Sequence, residues 1–116
     1  MARVLVVLRS GPATERSWLG LRTALSLGLA GHDVDVALRG DAAGLALPLA
    51  AGAWLGGDPG AELRGLVQEL GSTVLVDAAA LSAAGAGVGQ LAPGCVAADG
   101  DTYAQAVSAA EMLVAF

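Results

Sequence analysis

The stretch Val4-Leu5-Val6-Val7-Leu8 is apolar at every position. A strand with one wet face alternates, so an unbroken β-branched and leucine run predicts a first strand, Arg3–Leu8, covered on both faces. Arg9-Ser10-Gly11-Pro12 cannot continue it. Thr14 is placed to cap a helix reaching about Ala30, with Trp18, Leu21, Leu25 and Leu29 on one side and Gly31 as its stop. His32–Leu38 reads as the second strand, and a helix of this length between two strands closes most naturally as a parallel βαβ unit.

The same pattern repeats downstream. Asp41 can cap a short apolar helix, Ala42–Leu47, before Pro48. Asp58-Pro59-Gly60 opens a helix through Leu70, with Leu63, Leu66, Val67 and Leu70 at helical spacing and Gly71 after them. Thr73–Val76 reads as a third strand ending at Asp77, Ala78–Ala84 as a small helix and Gly85–Pro93 as a loop. Cys95–Ala97 then reads as a fourth strand, Asp101–Ala110 as a helix and Met112–Phe116 as a last strand. Alternating strands and helices predict a three-layer α/β/α sandwich of the flavodoxin-like kind, with a mostly parallel five-stranded sheet, formed by residues 1–116 as one domain.

Charge narrows the partners. Eleven acids stand against six arginines and no lysine, a net charge of −5. Nucleic acid and anionic membrane surfaces both call for clustered basic residues, so neither is expected as a partner. The uncharged stretches Ala42–Gly57 and Ala78–Ala98 contain Pro48 and Pro93 and do not read as membrane spans, and Met1–Gly11 lacks the long apolar core of a signal peptide. The single cysteine, Cys95, cannot form an internal disulfide, which sets a reducing cytoplasm as the expected compartment.

In open α/β sheets ligands gather beyond the carboxyl ends of the strands. That edge collects Arg9 and Ser10 after the first strand, Arg39 and Asp41 after the second, Asp77 after the third and Asp99 after the fourth. Arginines and aspartates on one rim can pair with each other, or the arginines can fork onto a small anion. Asp41 also reads as a helix cap, and His32 reads as a surface cap on the end of the first helix. Leu47, Leu49 and Trp54 form an apolar segment outside the main elements, which suits either the core or a face buried against another subunit. Phosphate-loop, dinucleotide and phospho-receiver patterns are absent, and one cysteine with one distant histidine has no metal-ligand spacing, so no cofactor or metal is expected.

The strings VLVVLRSGPATERSW, ALSLGLAGHDVDVALRGDA, VLVDAAALSAAG and GCVAADGDTYAQAVSAAEMLVAF resemble the DsrE/DsrF-like family of small sulfur-relay proteins across essentially the whole chain. The resemblance implies an oligomer, a trimer or hexamer of itself or a mixed complex with a homologous subunit. It also implies a sulfur-carrying cysteine at the end of the third strand, a place that here falls on Val76 or Asp77. The implied function is therefore a non-catalytic, oligomeric member without the persulfide cysteine. Two alternatives stay open: a carrier using Cys95 from an unexpected position, or a small-anion or nucleotide binding module held by Arg9 and Arg39. For Cys95 the residue type favours a small buried hydrophobe with little thiolate.

Overall fold

The computed structural model describes residues 1–12, 14–47 and 59–116. Five strands, β1 (Arg3–Leu8), β2 (Asp33–Leu38), β3 (Val74–Asp77), β4 (Cys95–Ala98) and β5 (Met112–Ala115), form one sheet in the order β4-β3-β2-β1-β5. All four pairings are parallel, with Leu8 opposite Leu38, Val7 opposite Ala115, Leu38 opposite Val76, and Asp77 opposite Ala98. The sheet expected as mostly parallel is wholly so.

Strand order decides which face each helix covers. From β1 to β4 the chain steps in one direction, and right-handed crossovers keep α1 (Glu15–Leu29), α2 (Pro59–Gln68) and α3 (Ala78–Ala83) on one face. The step from β4 back to β5, beyond β1, runs the other way and carries α4 (Gly100–Ala109) to the opposite face. The main core joins Val4, Val6, Leu8, Val36 and Leu38 with Leu21, Ala24, Leu63 and Leu66. Each such leucine withdrawn from water contributes about 1.5–3 kcal/mol. A smaller core on the other face joins Leu5, Val7 and Ala37 with Leu75, Tyr103, Ala106 and Ala110. The three layers are unequal, because among the described residues α4 is the one helix on that second face. Val96 and Leu113, on the flanking strands, stay 49% and 46% exposed.

Local chemistry explains the helix ends. Thr14 accepts the Ser17 N–H through its hydroxyl at 3.3 Å, and Gly31, at φ +98°, ends the turn that closes α1. The buried stripe of α1 differs from the expected one. It is Ser17, Gly20, Leu21 and Ala24, flanked by half-buried Trp18 and Leu25, while Leu29 is 69% exposed. Small residues win the sheet-facing line because the helix lies close to β1: a side chain on Gly20 would overlap Leu8 and Phe116.

Three further expectations are corrected. Ala42–Leu47 is not an α-helix; residues Gly40–Ala46 form a 3-10 segment instead. The loop Gly85–Pro93 contains a 3-10 turn, Val88–Gln90, held in part by Gly87 N–H donating to Gln90 Oε1 at 2.8 Å. His32 does not face helix carbonyls with its ring; its Nδ1 accepts the Ala2 N–H at 3.0 Å and ties the helix end to the chain entering β1. Leu47 is half-buried against the main core of its own chain, whereas Leu49, Trp54 and the Asp58 cap lie outside the described residues.

Candidate functional site

The crevice rule locates the site before any side chain is considered. It forms where neighbouring strands send their following segments to opposite faces. Here β3 leads into α3 on the main-core face and β4 leads into α4 on the other, so the carboxyl ends of β3 and β4 flank the opening. Asp77 is the last residue of β3, and Asp99 follows β4.

Asp77 is held from two directions. Its Oδ1 accepts the N–H groups of Ala79 and Ala80 at 3.1 and 3.2 Å as the N-cap of α3, and its Oδ2 accepts the N–H of Gly40 at 3.0 Å. Gly40 can reach across because its φ of +54° turns the chain sharply out of β2. The Gly40 N–H is the largest influence and lowers the Asp77 carboxyl; burial opposes it, and the Ala80 N–H, the neighbouring Arg39 charge and the Ala79 N–H together keep the carboxyl below its ordinary value. Asp99 caps α4, accepting the Thr102 N–H at 2.9 Å, and that bond lowers its carboxyl in the same sense.

The rim arginines do not pair with the aspartates. Among the described residues neither Arg9 nor Arg39 makes an ion pair; Arg22 does, with Glu62 at 3.2 Å on the outer surface of α1 and α2. Arg39 instead lies over the Tyr103 ring of α4, its Cζ 4.2 Å from the centroid. Arg9 is exposed, with its backbone N–H donated to the Phe116 carbonyl at 3.1 Å, and Ser10 is half-buried in the following turn. Asp41 is exposed and caps nothing: the cap position of its segment is Arg39, and no side chain fills that role. Because the segment begins at Gly40, Asp41 falls inside the first turn, past the position from which a cap reaches forward.

Cys95 stands at the other end of the sheet. It opens β4 opposite Val74, three residues before Ala98, which is opposite Asp77. At ~3.3 Å per residue the thiol is about 10 Å along the strand from the rim. It packs against the main core, and burial pushes the thiol up to about 11. The structure thus brings together Arg9, Arg39 and Asp77, leaves Asp41 beside them without a bonding role, and separates Cys95 from all four. Tyr103 is the rim residue that the sequence analysis missed. Its signal was there, since Tyr103, Ala106 and Ala110 share one helical face, but the partner of that face was not legible.

Such an arrangement defines a small, open α/β domain with an all-parallel sheet and a polar rim over a switch in crossover direction, lacking a thiol at that rim. The model of the DsrE/DsrF-like family matches residues 2–116, and the chain belongs to that family. The crystal structure of the ychN protein from E. coli has the same fold: TM-score 0.89 over 100% of both chains, with 20% sequence identity. No curated protein matches the chain by sequence. No helix among the described residues is long and apolar enough to cross a membrane.

Proposed function

We propose that this chain is a cytoplasmic, non-carrying subunit of a sulfur-relay assembly, joining copies of itself as a trimer or hexamer, or a homologous subunit, without bearing the sulfur. The observation that carries the reading is Asp77. It occupies the end of β3, where the family resemblance places the sulfur-carrying cysteine, and its carboxylate takes the Gly40, Ala79 and Ala80 N–H groups that would otherwise face a thiolate. A carboxylate is an acceptor and a fixed charge, but it cannot receive a sulfane sulfur.

Cys95 is a poor substitute on two grounds. It sits at the amino-terminal end of its strand, and a thiol raised to about 11 has little thiolate at neutral pH. Intact-mass spectrometry after incubation with a cysteine desulfurase and free cysteine tests the reading. In a carrier, the desulfurase persulfide gives its outer sulfur to the acceptor thiolate and leaves as a thiolate, adding one sulfur to the acceptor mass. The expected result is no gain on this chain while a homologous carrier loads in the same tube. A gain that disappears in Cys95→Ser would overturn the proposal and make Cys95 the carrier. Light scattering tests assembly separately, and a monomer at micromolar concentration, with and without a homologous partner, would count against it.

A further inference from the structure

We propose that Arg9 and Arg39, with the Tyr103 ring beneath Arg39, form a binding site for a small oxyanion on the α4 side of the strand ends. This goes beyond the subunit role and does not depend on the fate of Cys95.

Register places the two arginines together. Leu8 lies opposite Leu38, and the ladder runs one residue further, with Arg39 N–H donating to the Leu8 carbonyl at 2.8 Å and Arg9 N–H to the Phe116 carbonyl at 3.1 Å. Arg9 and Arg39 therefore leave neighbouring strands at the same level, with backbones ~4.8 Å apart. Leu8 and Leu38 point into the main core, so alternation sends the residues after them to the α4 face, where Arg39 meets Tyr103.

Two arginines that leave neighbouring strands at one level put like charges on one rim, where a carboxylate could bridge them. None does here among the described residues. The carboxylate at the same level on the third strand, Asp77, is turned into three backbone N–H groups. An oxyanion spanning the two arginines would relieve the repulsion. Its oxygens would meet guanidinium N–H donors, those of Arg39 on a side chain already seated over the Tyr103 ring. The Tyr103 ring is itself anchored in the second core against Leu5, Val7 and Ala37. Asp77 disfavours a multiply charged ligand placed toward β3, so the Arg9 side of Arg39 is the favoured position.

The experiment is a titration of the full chain with inorganic phosphate, thiosulfate and adenosine monophosphate at constant ionic strength, following arginine side-chain N–H signals by NMR. The expected result is a saturating shift of the Arg39 and Arg9 signals below about 50 mM ligand. Arg9→Gln, an exposed change that does not disturb packing, weakens the affinity roughly tenfold, as loss of a charge-assisted pair should. Arg39→Lys keeps the charge but loses the flat stack and the fork, and is expected to weaken it by a similar factor, roughly tenfold. Nucleotide binding tighter than phosphate identifies an end group of a larger molecule, and equal binding identifies the free anion. A shift that stays linear, or unchanged affinity in Arg39→Lys, would reduce the rim to screened surface charge and overturn the proposal.

Discussion

Replacing Asp77 by alanine removes a side chain that joins β3, α3 and the end of β2. The N-cap bonds to Ala79 and Ala80 contribute about 1 kcal/mol together. The bond from Gly40 is charge-assisted, but Gly40 is exposed and water can replace the lost oxygen, so it adds about 1–1.5 kcal/mol at the low end of its class. The expected loss is about 2–2.5 kcal/mol, or about 10 °C in Tm for a domain of this size. Urea unfolding of wild type and Asp77→Ala at neutral pH measures it. The carboxyl is held below its ordinary 3.8, so its stabilisation is complete above that value and fades as pH falls through the lower folded value. The gap between the two proteins should therefore narrow in acid, because the protonated carboxyl loses its charge but keeps an acceptor oxygen for the α3 cap. Asp77→Asn keeps an oxygen for the α3 cap but loses the charge, and should cost about half as much, roughly 1 kcal/mol. A loss below about 0.5 kcal/mol at neutral pH, or a gap that persists unchanged in acid, would refute the account of Asp77 as a cross-strand tie.

Other expectations follow from single sites. Cys95, raised from 9.0 to about 11, should carry about a hundredfold less thiolate at pH 8 than an unperturbed thiol and alkylate correspondingly slowly until denaturant exposes it; rapid labelling of the folded protein would contradict its burial. Gly94→Ala forces a side chain onto a φ of +83° and into Val67, and should cost about 2–4 kcal/mol by urea unfolding; a neutral result would mean that β4 and α2 are not packed as described. Asp77→Cys sets a thiol among the Gly40, Ala79 and Ala80 N–H groups, and should take up one sulfur from a desulfurase in the mass assay. Failure to load beside a homologous carrier that does load would detach Asp77 from the family's sulfur position.

Local chemistry alone determined a good part of this protein. The doubly apolar run of β1, the Thr14 cap, the Gly31 stop and the leucine spacing of α2 each act within a few residues, so they could be read directly from the chain. So could the gathering of Arg9, Arg39 and Asp77 at one edge, because parallel strands all end on the same side. Only the tertiary structure decided what those residues do. The expected Asp41 cap failed because Gly40 turns early and gives its N–H to Asp77, 37 positions away. Of the two uses open to the rim arginines, pairing with the aspartates gave way for Arg39 to a seat over Tyr103, which reaches the rim only because the last crossover carries α4 to the other face. The place of Cys95, at the far end of β4 from the rim, depended on strand register. Caps and periodicity are set by neighbours in the chain, whereas partners across a sheet are set by strand order and register, which many distant contacts determine together.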